Sequence, residues 1–277
     1  MSTFIEKVLN KNSTTTKFNS LTKYFNIPSY HEINNGKGNY LLTDKKDFIN
    51  ECVYVTEKIE GVSARIILST NHLGNADDYL IGNKDSFLFA KGDRIENPLL
   101  NIVENVKTIA DTIYFLSEKT LKPNSIYCLY CDMFGGSLKG AKQYTSCGKY
   151  SIRIVDMLII SQKEVEELLE LNDEEIGKWN TNKQIKFQKS EDLKRFCDKY
   201  YLETVPVLTV INGNEIPLEA GRMLNWMEKF QKSELCLDKK ALGNSAGVVL
   251  RTKDNQLVRE LWFKDYRRTQ KQLSGVK

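Results

Sequence analysis

The segment CVYVTEKIEGVSARIILST, residues 52–70, constrains the fold more than any other part of the chain. Valine, isoleucine, threonine and tyrosine dominate both halves, and the Glu60-Gly61 pair between them is typical of a turn or bend between two strands. Further strand patterns follow in DSFLFAKGD, SIYCLYCDMFGG, YSIRIVDMLII, VPVLTVI, SAGVVLRTK and QLVRELWFKDY. These segments predict largely antiparallel sheets.

Four longer segments have the apolar spacing of helices: NPLLNIVENVKTIADTIYFLSEKT, SQKEVEELLELNDEEIGKWN, SEDLKRFCDKYYL and LEAGRMLNWMEKFQK. Pro98 is placed near the start of the first helix, and Ser161 and Ser190 are predicted caps of the next two. Helices packed outside antiparallel sheets indicate an α+β architecture. Residues 1–50 are predicted to be a lead-in packed on a main domain of residues 51–277.

Composition and charge restrict the functional class. With 277 residues, no apolar run near twenty and a start (MSTFIEKVLNKN) unlike a signal peptide, the chain is expected to be soluble, cytoplasmic and not bound to a membrane. Among six cysteines only Cys128 and Cys131 have a zinc-ligand spacing, and no second pair completes a site, so reduced thiols are expected. Residues 251–277 carry eight basic and three acidic residues, and this basic end is a candidate phosphate-facing surface. The acidic stretch 161–180 is interpreted as a solvated helix.

Lys58, in TEKIEG, is the candidate reactive residue. A lysine is a poor nucleophile at neutral pH because its ordinary pKa is about 10.4, so it needs burial or nearby positive charge and a positioned electrophile. A strand beside a glycine can supply burial and close approach. The K-x-E-G pattern alone is common, and a non-catalytic surface lysine is the alternative.

The order of the later segments resembles the covalent nucleotidyltransferase superfamily, and within it the ATP-dependent RNA ligases, from about Cys52 to Thr269. Lys58 matches the lysine of the first motif, and Arg94, with Lys91 as second choice, the basic residue that follows. Asp132 in LYCDMFGG stands at the acid of the third motif. Asp156 in SIRIVDM matches the end of the base-binding strand, although its stacking aromatic is not evident.

Two motifs depart from the family pattern. SAGVVLR matches the fourth motif at Gly247 and Arg251 but has Ala246 where the family has a metal-binding glutamate. RELWFKDYRRT keeps one of two expected lysines, Lys264, with Arg259 as a candidate substitute. Another carboxylate replaces the missing one, or the protein is slow or inactivated.

The resemblance implies an ATP-grasp-like nucleotidyltransferase domain that uses ATP and Mg²⁺ (or Mn²⁺), acts as a monomer and seals RNA 5′-phosphate and 3′-hydroxyl ends, as in RNA repair. Lys58 would be the catalytic residue that becomes adenylylated. The implied ATP-binding residues are Glu57, Lys58, Ile59, Glu60, Ser63, Arg94, Asp132, Arg251 and Lys264. Glu60 and Asp132 are the implied metal ligands, and Arg259, Arg267 and Arg268 the implied RNA-binding residues.

Three hypotheses for the function differ in the substrate and in whether the protein is catalytically active. Few residues follow Thr269, so no C-terminal OB domain of the kind found in DNA ligases and capping enzymes is expected, which favours RNA. A catalytically impaired homologue that binds nucleotides or RNA ends is the second hypothesis. A capping guanylyltransferase, which would take GTP, is the third.

Overall fold

The computed structural model describes residues 2–33, 40–41, 47–91, 93–94, 101–182 and 186–273. The chain divides into two interleaved compact units. Unit 1 comprises Met1–Phe25, Val62–Met133 and Ile152–Thr204, and unit 2 comprises Asn26–Gly61, Phe134–Ser151 and Val205–Lys277. The segment that resembles the ligases, from about Cys52 to Thr269, therefore contributes residues to both units. The predicted domain boundary at residue 50 stays a prediction.

Two sheets and a short hairpin hold the described strands. The hairpin pairs β1 (Glu32–Ile33) with β2 (Tyr40–Leu41). In unit 2, four strands run in the order β10-β3-β11-β12: β3 (Cys52–Lys58), β10 (Val207–Asn212), β11 (Gly247–Thr252) and β12 (Val258–Trp262). Six further strands run in the order β7-β6-β5-β4-β8-β9: β4 (Val62–Thr70), β5 (Ala76–Asn83), β6 (Phe87–Ala90), β7 (Asp93–Arg94), β8 (Ser125–Gly135) and β9 (Tyr150–Ser161). The strand pairs whose register is described are antiparallel, as predicted.

The described helices are α1 (Phe4–Leu9), α2 (Asn12–Thr22), α3 (Ile102–Leu116), α4 (Ala141–Tyr144), α5 (Gln162–Glu170), α6 (Asp173–Asn182), α7 (Ser190–Lys199), α8 (Ala220–Met227) and α9 (Phe263–Leu273). Helices α1 and α2 contribute Phe4, Ile5, Phe18 and Leu21 to the core of unit 1. The predicted α+β class is confirmed. No helix in these parts of the chain has the length and apolar character needed to cross a bilayer.

One face of the four-stranded sheet forms the core of unit 2. Val53, Val55, Val248, Leu250 and Leu261 are fully buried there and pack in one cluster with side chains of α8 and α9. Side chains alternate along a strand, so the intervening residues, which include Lys58, Gly247 and Glu260, belong to the other face. The alternation of apolar residues thus places Lys58 and Glu260 on the face of the sheet that does not form the core.

Several boundaries differ from the sequence prediction. The last strand ends at Trp262 rather than at Tyr266, because Phe263, Tyr266 and Thr269 are buried at a helical spacing of three and start α9 instead. The acidic segment forms two helices, because the Asn172 side chain accepts the Glu175 N–H and caps a new start.

The predicted caps and strand list need further corrections. The Ser161 hydroxyl does accept the Glu164 N–H at 3.1 Å, as a cap should. Ser190, in contrast, is the first helical residue of α7, and Lys189 occupies the cap position. Strand β5 was not predicted, because ADDYLIGN begins with residues that disfavour strands. Pro98 lies outside the described residues.

His31 is buried in unit 2 between α9 and the backbone before α8. Its Nε2 lies 2.8 Å from the Leu218 carbonyl oxygen, and its Nδ1 lies 2.8 Å from the Tyr266 hydroxyl. A carbonyl oxygen only accepts, so Nε2 carries the proton and Nδ1 accepts from the hydroxyl. Burial lowers the pKa of His31 below its ordinary value. The folded protein therefore favours the neutral imidazole.

We expect acid to destabilise the fold through His31. The unfolded chain takes up the proton at a higher pH than the folded chain, so stability is complete above about pH 6.5 and decreases below it, by at most about 1.4 kcal/mol per pH unit. Denaturant unfolding at a series of pH values measures this slope. His31→Gln should flatten it, whereas His72→Gln, at an exposed turn, should not; equal slopes for the parent and His31→Gln would contradict the assignment.

Candidate active site

Lys58 is the last residue of β3 and lies on the face of the sheet that does not form the unit 2 core. In the register of the sheet it is opposite Gly247 on β11, and Gly247 in turn is opposite Trp262 on β12. Because glycine has no side chain, the lysine and the indole can approach each other over the central strand. Lys58 Nζ lies 5.0 Å from the centre of the Trp262 ring.

A carboxylate from β12 completes this cluster. Glu260 Oε2 is 3.1 Å from Lys58 Nζ, and the other oxygen, Oε1, accepts the Trp262 indole N–H at 2.9 Å. The Lys58 and Glu260 side chains are 16% and 19% exposed, so solvent screens this ion pair less than a surface pair. The amine is thus partly accessible and held by a carboxylate that is itself oriented.

Lys264 adds a second ammonium group to the cluster. It is an exposed residue in the first turn of α9, and its Nζ lies 4.0 Å from the centre of the Trp262 ring. The ammonium groups of Lys58 and Lys264 both lie within cation–π distance of the Trp262 ring, so positive charge is concentrated at this place. Lys58, Glu260, Trp262 and Lys264 are called the lysine cluster below.

Arg251 also belongs to β11, opposite Tyr54 and Val258. It is 5% exposed, and its NH1 donates to Asn255 Oδ1 at 3.3 Å. Its implied role in ATP binding stays a prediction.

Glu57 points to the opposite face from Lys58. Only 2% of it is exposed, and its carboxylate accepts the Ser233 hydroxyl at 2.6 Å and the Glu234 N–H at 2.9 Å. These bonds tie β3 to the loop that precedes β11. The contacts observed for Glu57 are structural, and its part in ATP binding stays a prediction.

Ile59 and Glu60 form the link after β3. Ile59 is buried in an apolar cluster with Phe134, Tyr144 and Leu235. The Glu60 N–H donates to the Tyr144 hydroxyl at 2.8 Å, and its carboxylate pairs with Lys139 Nζ at 3.4 Å. The buried Tyr144 ring therefore fixes the backbone two residues after Lys58.

The implied residues of unit 1 are arranged around β4 and β8. Ser63 and Asp132 are cross-strand partners, and the Ser63 hydroxyl donates to Asp132 Oδ1 at 2.8 Å. Lys91 Nζ donates to the Tyr114 hydroxyl at 2.5 Å. Arg94 is the second residue of β7, and its side chain lies outside the described residues.

Asp156 is fully buried in unit 1, where its carboxylate accepts the Tyr24 hydroxyl. The Tyr24 ring stacks on Phe187 with 5.8 Å between ring centres. The aromatic residue that contacts this aspartate, Tyr24, is 132 residues away in sequence, so the strand SIRIVDM alone could not reveal it.

The three implied RNA-binding arginines differ in their surroundings. Arg259 Nε and NH2 both lie 2.7 Å from Asp47 Oδ2, and both side chains are at most 14% exposed. These two contacts to one carboxylate oxygen anchor β12 to the segment before β3. Arg267 and Arg268 are exposed on α9, and Arg267 lies over the Phe263 ring at 5.1 Å. RNA binding stays a prediction for all three.

The lysine cluster fits an anionic ligand. Its two ammonium groups suit phosphate oxygens, while both oxygens of its carboxylate already contact Lys58 and Trp262. No group of three His, Cys, Asp or Glu side chains in the described ranges forms a ready metal cluster. Magnesium in phosphoryl-transfer sites is held by one or two carboxylates together with substrate phosphates, and Glu60 and Asp132 stay the predicted carboxylates.

Glu260 and Trp262 were not found from the sequence. The signal that could have revealed them is the alternation in RELW, which places both residues on the side of β12 that Lys58 occupies on β3. Ala246, where the family pattern has a carboxylate, accepts the Phe263 N–H through its carbonyl at 3.0 Å. The acidic side chain in contact with Lys58 is Glu260, from β12, the strand next to β11.

Comparisons with known proteins agree with this fold. The sequence matches the RNA ligase family over residues 51–265. Among solved structures, an RNA ligase from Naegleria gruberi without ligand superposes with a TM-score of 0.57 at 11% identity, covering 92% of this chain and 58% of that one. The same ligase with AMP and manganese gives 0.56 at 13% identity, covering 89% and 57%.

A third structure, the Naegleria gruberi ligase with pyrophosphate, gives a TM-score of 0.52 at 12% identity and covers 82% of this chain and 54% of that one. The chain therefore spans just over half the length of these solved ligases. No curated protein matches it in sequence.

Proposed function

Because the chain belongs to the RNA ligase family, we propose that it uses ATP to join the 5′-phosphate and 3′-hydroxyl ends of RNA through a covalent lysyl-AMP intermediate. The observation that carries this proposal is the Lys58 amine, held at a sheet surface 3.1 Å from Glu260 and beside a second lysine, Lys264. A fixed amine with positive charge nearby is what attack on a phosphate requires.

The first step transfers AMP to the protein. The Lys58 amine, after its proton has passed to solvent, forms a bond to the α-phosphorus of ATP. The bond from that phosphorus to the bridging oxygen breaks, and pyrophosphate leaves with the electron pair. Lys264 stabilises the negative charge that shifts among the phosphate oxygens, because its ammonium group lies in the same cluster.

The next two steps move the AMP and close the strand. An oxygen of the RNA 5′-phosphate attacks the lysyl-AMP phosphorus, and the nitrogen–phosphorus bond breaks to release Lys58. The RNA 3′-hydroxyl then attacks the activated 5′-phosphorus, and AMP leaves. Magnesium or manganese, when bound, offsets the triphosphate charge. Glu60 and Asp132 remain its predicted ligands, and Arg267 and Arg268 are exposed candidates for RNA phosphates.

The proposal is tested by joining two RNA strands in the presence of ATP and magnesium or manganese. One substrate presents a 5′-phosphate and a 3′-hydroxyl, and its matched control has a 5′-hydroxyl. We expect a longer RNA on a denaturing gel from the first substrate only. ATP binding without any product would favour the impaired homologue, and covalent labelling from GTP in place of ATP would favour a capping enzyme.

The same RNA assay examines the partner class. Joining of a DNA strand with the same ends as efficiently as RNA would contradict the assignment of RNA as substrate. The proposal of a single working copy is measured by the elution volume of the active fraction on a calibrated column, where a dimer would contradict it.

A further inference from the structure

We infer that Glu260 is a positioning residue that holds the Lys58 amine in the orientation from which it attacks; this inference rests on the proposed function. Glu260 lies within the fifth-motif segment RELWFKDYRRT but is not one of the residues that match the motif. Its contacts on β12 and its backbone hydrogen bonds fit this role.

The Glu260 carboxylate has one oxygen for each partner. Oε2 faces Lys58 Nζ at 3.1 Å, and Oε1 accepts the Trp262 N–H at 2.9 Å. The second bond fixes the plane of the carboxylate, so the position of Oε2 is set by the indole. A hydrogen bond to a charged carboxylate is stronger than one between neutral groups, which makes Trp262 an effective orienting partner.

The backbone of Glu260 lies between two neighbouring segments. On one side it is opposite Val249 in the register of β11. Along the other, its N–H donates to the Pro28 carbonyl at 3.0 Å, and its own carbonyl accepts the Tyr30 N–H at 3.1 Å. A site built on such a fixed strand holds its groups more precisely than a loop can.

The lysine gains from this arrangement because it is a long side chain. Four rotatable bonds give lysine about 2 kcal/mol of rotamer entropy, so an unrestrained amine seldom occupies one reactive position. Glu260 restricts that freedom before ATP arrives. Misplacing a reacting group by about 1 Å can lower a rate by about 100-fold, which sets the scale of the effect.

The test measures AMP transfer to the protein in a single turnover at saturating ATP. We expect Glu260→Gln to lower this rate by about 30- to 100-fold, with the KM for ATP changed by less than about threefold. Joining of a pre-adenylylated RNA, which bypasses lysine adenylylation, should change by less than about threefold. Equal losses in both reactions, or no loss in the first, would overturn the inference.

Trp262→Phe supplies an independent variant, because it removes the N–H donor and leaves both charges of the ion pair in place. It should slow AMP transfer several-fold in the parent and have little further effect on Glu260→Gln, since the two residues act as one unit. Additive losses would contradict the orienting role. Glu228→Gln, an exposed residue of unit 2, is the matched control and should keep the parent rate.

A chemical readout separates this inference from the proposed ligase activity. An amine-reactive acylating reagent, followed by peptide mass spectrometry, should modify Lys58 several-fold faster in Glu260→Gln than in the parent, with exposed Lys240 as internal reference. That result in a protein that shows no AMP transfer would preserve the restraint of the Lys58 amine by Glu260 and reject the ligase. If Lys58 reacts equally fast in Glu260→Gln and in the parent, and the parent transfers AMP, the positioning role of Glu260 is rejected and the ligase activity is not.

Discussion

Lys58→Arg is expected to lower covalent transfer of AMP to the protein by roughly 10³-fold or more, because it removes the nucleophile. The guanidinium keeps the positive charge and can still pair with Glu260, so the fold of the lysine cluster is retained. An arginine stays protonated at every accessible pH and has no free amine to attack phosphorus. The loss would therefore report chemistry and leave stability and ATP binding little changed.

The measurement is label from α-labelled ATP that survives denaturing electrophoresis. Lys240→Arg makes the same chemical change at an exposed position of unit 2 and should keep the parent signal. A Lys58→Arg variant that is labelled as strongly as the parent would show that another residue receives the AMP.

Gly247→Ala is expected to destabilise the protein by about 3 kcal/mol or more and to abolish AMP transfer. A Cβ at this position would lie 1.9 Å from the Leu261 carbonyl oxygen and 3.0 Å from the Trp262 Cα. These are backbone atoms of β12, so they cannot turn aside as a flexible side chain would. Strand β12 would have to separate from β11, which would displace Glu260 and Trp262 from Lys58.

Denaturant unfolding and the AMP-transfer assay together measure this effect. Gly221→Ala, in α8 of the same unit, is the control, because a Cβ there meets nothing within 4 Å. It should leave activity unchanged and alter stability by no more than about 1 kcal/mol. A Gly247→Ala protein with parental stability would show that β11 and β12 are not packed as described.

The strands and the fold class could be predicted because their signal is local. Alternation in CVYVTEK and SARIILST reflects which residues are buried, and both segments form strands at the expected places. The last segment was harder, since WFKDYRR carries no breaker between strand and helix. There the burial of Phe263 and Tyr266 in the unit 2 core decides for a helix.

Less of the candidate site could be predicted, because the sequence of one strand does not determine which strands pair with it or in which register. Lys58 was chosen from its motif, but its partner Glu260 depends on β11 lying between β3 and β12. Arg259 depends on distant residues as well. Its RNA-binding role stays a prediction, but its guanidinium pairs with Asp47, more than 200 residues earlier in the chain, a contact that no single segment reveals.

The most direct test of Lys58 as the nucleophile is to locate the AMP. The protein is incubated with ATP and magnesium or manganese, digested, and the adenylylated peptide is identified by mass spectrometry under conditions that preserve the nitrogen–phosphorus bond. We expect AMP on Lys58 within TEKIEG. AMP on any other residue, or a protein that turns over ATP and joins RNA without ever carrying AMP, would contradict it.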